Sequence, residues 1–146
     1  MIFYDIDEFI FLKNYVNIKD FLNEKKFEKC DSIYLNWKIH TDNDLLYYSN
    51  KSLHERFPKT YLNNKFCRGK TIIRGNIKNI KIKSTHLLDR MIQRCNGFGK
   101  KFKSLGINCN IPDFSFYYID HFQYKSTEEF INKINKGDCV HGDNIN

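Results

Sequence analysis

Two carboxylates separated by one residue stand near the start of the sequence, in the segment Tyr4-Asp5-Ile6-Asp7-Glu8-Phe9. Side chains at positions i and i+2 of an extended segment point to the same side, so Asp5 and Asp7 are placed to share one cation. Carboxylate oxygens suit Mg²⁺ or Mn²⁺, which keep coordination positions open for phosphate oxygens. The apolar residues before the acids predict a buried strand over residues 2–5, whose acidic end needs a counter-ion.

A histidine, a lysine and a predicted helix start lie close together near the end of the sequence. His121 follows a predicted strand over residues 114–119 and is a candidate third metal ligand. Because the amide groups of a helix N-terminus attract phosphate, Lys125 and Ser126 are candidate contacts for a diphosphate. Ser126 also has a structural explanation, since Glu129 completes the pattern of a capping box.

Further patterns predict the elements that must position these residues. Asn17 has the character of an N-cap, followed by a helix that buries Phe21. Residues 33–40 alternate apolar and polar side chains, which predicts a strand with one buried face that includes Trp37. The other predicted elements are a long loop over residues 43–70 with a short helix near Leu53, strands over 71–74 and 80–82, and a helix over 87–92.

The last predicted helix runs from the Ser126 cap to about residue 136, where Gly137 provides a left-handed end. Its apolar side chains predict a buried face, made of Phe130, Ile131 and Ile134. Strands and helices alternate along the chain without hairpin signals at most joints, so we expect the α/β class.

The composition is that of one globular domain over residues 1–146, with 41% apolar and 28% charged residues. The net charge of +7 is the difference between 24 Lys and Arg side chains and 17 Asp and Glu side chains that are scattered through the whole sequence. This pattern favours a solvated surface over a nucleic-acid site. The sequence contains no apolar run long enough to cross a bilayer, and its start does not have the character of a signal peptide. Five cysteines without a Cys-x-x-Cys pair predict free thiols and a cytoplasmic location.

Five blocks of the sequence, in order, resemble the glycosyltransferases of family 92 and the related family 2 group. Residues 3–10 resemble their "D-x-D-E-F" motif, the strand ending in Trp37 resembles theirs, and Glu55-Arg56-Phe57 resembles "E-R-F". Residues 70–74 followed by His86 resemble "K-x-I-x-R … H". Residues 121–137 resemble "H-Y-x-x-K-S-x-E-E-F-x-x-K-x-x-x-G", with Phe122 in the place of the tyrosine.

This resemblance implies a GT-A-type (nucleotide-diphospho-sugar transferase) fold and a metal-dependent transfer of a sugar from a nucleotide-diphosphate donor to a hydroxyl acceptor. The metal, Mn²⁺ or Mg²⁺, would be held by Asp5, Asp7 and His121. Glu55 and Asp42 are the candidate catalytic bases, and Trp37 is a candidate acceptor platform. The implied partners are a nucleotide-sugar donor and a glycan or lipid-linked acceptor, with no nucleic acid; peripheral membrane contact and a homo-oligomer stay open.

The position of the Asp-x-Asp motif departs from the family pattern, because in GT-A enzymes a nucleotide-binding half precedes it. We therefore expect residues 1–146 to be the C-terminal catalytic and acceptor half of such a fold, lacking most of the N-terminal nucleotide-binding half. On this expectation the chain alone binds metal weakly, transfers no sugar and tends to oligomerise, since the donor's base and ribose have no site.

Two other classes of protein share parts of the pattern. A haloacid-dehalogenase-like phosphatase also has an Asp-x-Asp after an apolar strand, with the first Asp as nucleophile, but Phe9 stands where that class has Thr or Val. A basic nucleic-acid-binding module needs basic and aromatic side chains interleaved on one face, whereas residues 33–40 offer only Lys38 there. Metal dependence of nucleotide binding separates a transferase from a nucleic-acid binder.

Overall fold

The computed structural model describes residues 1–61, 68–78, 92–101 and 112–137. They form a mixed α/β structure with one five-stranded sheet and three helices among the described residues. The elements are β1 (Glu8–Leu12), α1 (Ile18–Leu22), β2 (Ser32–Ile39), α2 (Leu53–Arg56), β3 (Gly69–Ile73), β4 (Arg94–Asn96), β5 (Tyr117–His121) and α3 (Thr127–Asn135), with a 3₁₀ turn at Lys25–Phe27. The chain divides into two compact units, the first comprising Met1–Lys38 and Leu62–His121, the second Ile39–Tyr61 and Phe122–Asn146.

The sheet has the strand order β1-β5-β2-β3, and β4 also pairs with β2. The β1–β5 and β2–β3 pairs are antiparallel, and the β2–β4 pair is parallel, which makes the sheet mixed. In the register of β1 and β5, Glu8 lies opposite His121. Residues opposite each other in an antiparallel pair have their side chains on the same face. The pairing therefore places the end of the acidic motif beside the predicted histidine ligand.

The predicted strand over residues 2–5 is wrong, because the first strand begins at Glu8, after the two aspartates. Residues 1–7 are all described and belong to no strand. The backbone turns back between Asp5 and Glu8: the Glu8 amide donates to the Asp5 carbonyl oxygen at 3.1 Å, and the Asp5 amide donates to the Glu8 carboxylate at 3.0 Å. The acids thus stand in a turn that leads into the sheet, and Phe3 and Tyr4 are exposed.

Strand β2 confirms the predicted strand over residues 33–40 within one residue, but it is not half-buried. Ser32 and Tyr34, which alternate with the apolar positions, are buried as well as Ile33 and Leu35. Strands β3 and β4 pair with β2 on its two edges, so β2 is central over these residues. Central strands are commonly covered on both faces, and alternation alone did not reveal this.

Cys30 and Cys95 are joined by a disulfide, with their Cα atoms 5.8 Å apart, so the prediction of five free thiols is wrong for these two. Both cysteines are buried, and the bond ties the segment before β2 to β4. The helix predicted after Asn17 is confirmed as α1, since the Asn17 side chain accepts from the Asp20 amide and Phe21 is fully buried. Cys67, Cys109 and Cys139 lie outside the described residues.

The second unit contains two short helices that begin in the same way. Ser52 and Glu55 form a capping box at α2, and Ser126 and Glu129 form one at α3, which confirms the latter prediction. Gly137 has a positive φ of 80°, as predicted for the end of α3. The predicted buried face of α3 is wrong: these side chains are 41–53% exposed, namely those of Phe130, Ile131 and Ile134.

The remaining predicted elements are partly displaced. The loop over residues 43–70 carries its short helix at α2, as predicted, and β3 begins two residues earlier than predicted, at Gly69. Strand β5 begins at Tyr117 rather than at residue 114, and it ends at His121, which was predicted to follow the strand. The predicted strand over 80–82 and His86 lie outside the described residues, as does the predicted helix over 87–92 except Ile92, which is not helical. Of the helices that the structure describes, none has the length and apolar character needed to span a membrane.

Candidate metal and diphosphate site

Asp7 and His121 approach each other in the first unit, where the N-terminal turn meets the end of β5. Their closest side-chain atoms, Asp7 Oδ1 and His121 Nε2, are 3.9 Å apart. The register of β1 and β5 causes this contact, because Glu8 lies opposite His121 and Asp7 directly precedes Glu8. Both side chains are largely buried, at 16% and 8% exposure, so the pair is partly shielded from solvent. Of the three predicted ligands, Asp5, Asp7 and His121, the structure thus brings the last two together.

Asp5 has a different neighbour, the side chain of Lys70 on β3. Lys70 Nζ lies 3.2 Å from Asp5 Oδ2 and 3.5 Å from Glu8 Oε1. The lysine side chain is only 1% exposed and that of Glu8 is fully buried, whereas the Asp5 side chain is 68% exposed. A buried ammonium group requires such partners, because removing a charge from water is costly unless it is paired.

Trp37 on β2 contacts both parts of this cluster. Its ring centroid lies 4.4 Å from that of His121, and Lys70 Nζ lies 5.6 Å from the Trp37 ring centroid, a cation–π distance. Trp37 is 8% exposed, so its ring has little free surface. A ring with so little free surface does not offer an acceptor platform, so the structure assigns Trp37 the role of packing against the lysine and the histidine.

The close pairing of β2 and β3 places Lys70 in this position. Lys70 lies opposite Leu35, and its neighbour Gly69 lies opposite Asn36. A Cβ atom on Gly69 would come within 2.0 Å of the Leu35 carbonyl oxygen, so the approach of the two backbones requires glycine at this position. The lysine that follows is thereby held over the same face of the sheet as Leu35 and, two residues further along β2, Trp37.

Three carboxylates, of Asp5, Asp7 and Glu8, and the ammonium group of Lys70 meet in this cluster of described residues. Burial raises the pKa of Glu8 above its ordinary value, although the Asp5 amide and the Lys70 ammonium act in the opposite direction. Several carboxylates gathered in a partly buried cluster favour the binding of a cation.

Asp7 and His121 fit the first coordination shell of Mn²⁺ or Mg²⁺. Ligand atoms that each lie about 2.1 Å from one ion are separated by about 3–4 Å, and the two atoms are 3.9 Å apart. The remaining predicted ligand, Asp5, is instead bound to Lys70. Within the four described ranges, no three His, Cys, Asp or Glu side chains are arranged as one metal-binding group. The fit is therefore to an ion that takes two protein ligands and completes its shell with water or phosphate oxygens.

The predicted bases Glu55 and Asp42 belong to the second unit. The Glu55 carboxylate accepts hydrogen bonds from the Ser52 hydroxyl at 2.6 Å and the Ser52 amide at 2.9 Å. These bonds lower the pKa of Glu55, and the bond from the Ser52 hydroxyl makes the larger contribution. A carboxylate with a lowered pKa is a weaker base. Asp42 is exposed, and its carboxylate accepts the Asp44 amide at 3.3 Å within a turn. Glu55 thus has a structural role as a helix cap, and of the two predicted bases Asp42 remains.

The N-terminus of α3 does not have the free amides that the predicted diphosphate contact requires. The amides of Thr127 and Glu128 donate to the carbonyl oxygens of Leu45 and Leu46, both at 3.0 Å. The Glu129 amide donates to the Ser126 hydroxyl, which is fully buried and itself donates to the Glu129 carboxylate at 2.6 Å. The prediction of Ser126 as a phosphate contact is therefore wrong. Lys125, the other predicted phosphate contact, is half-buried. The amides that were expected to bind phosphate beside it already donate to other groups.

Two members of the cluster, Lys70 and Glu8, were not among the predicted site residues. Both stand in the blocks that carry the family resemblance, Glu8 in the "D-x-D-E-F" motif and Lys70 at the start of "K-x-I-x-R". A lysine within the otherwise uncharged strand Gly69–Ile73 was the available signal. No family model, curated protein or solved structure matches this chain.

Proposed function

We propose that this chain carries the metal and donor-diphosphate site of a GT-A-type glycosyltransferase. The reaction is the transfer of a sugar from a nucleotide-diphosphate donor to a hydroxyl group of a glycan or lipid-linked acceptor. The observation that supports the proposal most is the approach of Asp7 and His121, 3.9 Å apart, from two distant parts of the sequence. The family resemblance of the blocks containing these residues supports the same reaction.

In this proposal Asp7 and His121 hold Mn²⁺ or Mg²⁺. A bound divalent ion supplies charge stabilisation for the departing diphosphate. Lys70 fixes the carboxylates of Asp5 and Glu8, and Trp37 limits the access of water to the lysine and the histidine. Asp42, which belongs to the second unit, stays the sequence-based candidate for the base that takes the proton of the acceptor hydroxyl.

The surroundings of Asp5 give less support to a phosphatase of the haloacid-dehalogenase type. That class places its nucleophilic aspartate at the end of a strand, whereas Asp5 lies in a turn before β1. The nucleic-acid alternative has no basic-aromatic face on β2, since this strand is buried over Ser32–Leu35.

Contacts with a membrane or with a second copy of the chain remain proposals. The second unit exposes apolar side chains suited to such contacts, on α3 and in the loop before α2: Leu46, Tyr47, Phe130, Ile131 and Ile134. A cytoplasmic location also remains a proposal, and the Cys30–Cys95 disulfide counts against it because disulfides persist mainly in oxidising compartments.

Calorimetry with nucleoside diphosphates tests the proposed function. We expect uridine and guanosine diphosphate to bind in the presence of Mn²⁺ with a weak dissociation constant, on the order of 0.1–1 mM, because two protein ligands hold the ion. Binding should disappear in EDTA and in the Asp7→Asn variant. Since the proposed contacts are to metal and phosphate, the two nucleotides should bind alike.

The matched control for this experiment is Glu28→Gln, which removes an exposed carboxylate of the same unit. This variant should bind the nucleotides as the unchanged protein does. Equal binding with and without Mn²⁺ would contradict the proposal, and so would Asp5-dependent hydrolysis of a phosphate monoester.

A further inference from the structure

Lys70 provides a positive charge that is paired with two acids of the motif, Asp5 and Glu8, and its side chain is almost completely buried. Its Nζ atom lies 3.2 Å from Asp5 and 3.5 Å from Glu8, while Trp37 covers it and also packs on His121. A cation site made by Asp7 and His121 therefore shares the Trp37 ring with a fixed ammonium group. The acidic motif predicts metal ligands, but in the structure two of its three acids, Asp5 and Glu8, pair with Lys70.

We infer that Lys70 is a built-in counter-ion that makes this site select the metal–diphosphate complex over the metal alone. The inference rests on the proposed function and names the ligand as a divalent metal bound to a nucleoside diphosphate. Lys70 acts as a positioning and specificity-determining residue, because its buried Nζ is occupied by Asp5 and Glu8 rather than directed at the ligand.

The positive charge of Lys70 has opposite effects on the two ligands. A fixed positive charge repels a free divalent cation, whereas the complex of Mn²⁺ with a nucleoside diphosphate carries a net negative charge and is attracted. Such interactions are weakly screened in a partly buried site, so they act over several ångströms without direct contact. Lys70 therefore weakens binding of the metal alone and strengthens binding of the complex.

The Lys70→Met variant separates these two effects. We expect Mn²⁺ alone to bind about tenfold more tightly, the order of magnitude expected when a like charge several ångströms from a divalent ion is removed. We expect the Mn²⁺–uridine diphosphate complex to bind severalfold more weakly. Electron paramagnetic resonance of free Mn²⁺ measures the first constant, and calorimetry at saturating Mn²⁺ measures the second. A lysine with a merely structural role would, on removal, weaken both.

Two charge variants keep the test decisive if Lys70→Met folds poorly. Glu8→Gln leaves Lys70 with Asp5 as its partner, so Mn²⁺ alone should bind more weakly and the complex more tightly. The combination of Lys70→Met with Glu8→Gln restores the charge of the cluster, and both constants should return towards those of the unchanged protein. Lys29→Met, which removes an exposed lysine of the same unit, should change neither constant.

The outcomes distinguish this inference from the proposed function. If the unchanged protein binds neither Mn²⁺ nor the complex, the proposed function fails. If it binds both, but Lys70→Met or Glu8→Gln shifts the two constants in the same direction or shifts neither, the role of Lys70 is overturned and the proposed function stands.

Discussion

Replacing Arg56 with methionine is expected to lower the free energy of unfolding by about 3 kcal/mol, because it removes one partner of a buried ion pair. The Arg56 side chain is 3% exposed, and its guanidinium group forms two hydrogen bonds with the Glu129 carboxylate, one of them from Nη1 to Oε1 at 3.2 Å. Glu129 also caps α3 through Ser126, so the ion pair connects α2 directly to the start of α3.

The same pair gives the second unit a defined response to acid. Burial alone would raise the pKa of Glu129, but hydrogen bonds from Arg56 and Ser126 outweigh it, and the pKa lies below the ordinary value of 4.5. A carboxyl group whose pKa is lowered by folding stabilises the folded state at pH values above its pKa in the unfolded state. This contribution is lost as the pH falls below about 4.5, the ordinary pKa of the group. Arg56→Met should therefore lose less stability between neutral and acid pH than the unchanged protein.

Urea unfolding at neutral and at acid pH measures both effects. Lys133→Met, which changes an exposed lysine on α3, is the matched control and should stay within about 0.5 kcal/mol of the unchanged protein. A loss below 1 kcal/mol for Arg56→Met would mean that the ion pair does not connect the two helices in solution.

Reduction of the Cys30–Cys95 disulfide is expected to lower the free energy of unfolding by about 4 kcal/mol. The two cysteines are separated by 65 positions, and in the chain-entropy description a loop of this length loses about that much freedom when it is closed in the unfolded state. Both cysteines are buried in the first unit, next to strands β2 and β4. The urea midpoint should therefore fall on addition of dithiothreitol.

The control for the reductant is the double variant Cys30→Ala with Cys95→Ala. It should already have the lower stability, and dithiothreitol should not change it further. Two measurements decide whether the bond forms. One is the mass of the unreduced protein, which is about 2 Da lower for each disulfide, and the other is the number of thiols that react before reduction. Reactive Cys30 and Cys95 in the folded, unreduced protein would contradict the disulfide.

Local patterns predicted the elements whose causes are themselves local. The Asn17 cap, the Ser126 capping box and the left-handed Gly137 all depend on residues within a few positions, and each is confirmed. Burial depends on distant partners, which explains why β2 is buried on both sides and the apolar side of α3 is exposed. The predicted strand over residues 2–5 failed for a related reason, since the turn between Asp5 and Glu8 replaced it.

The candidate site was predictable in its residue types but not in its pairing. Asp-x-Asp and His121 were recognised as a potential cation site, and the register of β1 and β5 brings Asp7 to His121. The partner of Asp5 was hidden, because Lys70 arrives through the long-range pairing of β2 with β3. The amides expected to be free at the start of α3 likewise donate to the carbonyl oxygens of Leu45 and Leu46, about 80 positions earlier in the sequence. The Tyr48 amide, which donates to the Glu128 carboxylate, joins the same two segments.

Titration with Mn²⁺, followed by electron paramagnetic resonance, tests the central claim that Asp7 and His121 form one cation site. The unchanged protein should bind one Mn²⁺ weakly, and Asp7→Asn and His121→Ala should each weaken this binding about tenfold or more, because each removes one of the two ligands. Asp113→Asn, which alters an exposed acid of the same unit, should bind as the unchanged protein does. Unaltered Mn²⁺ binding in either ligand variant would contradict the account.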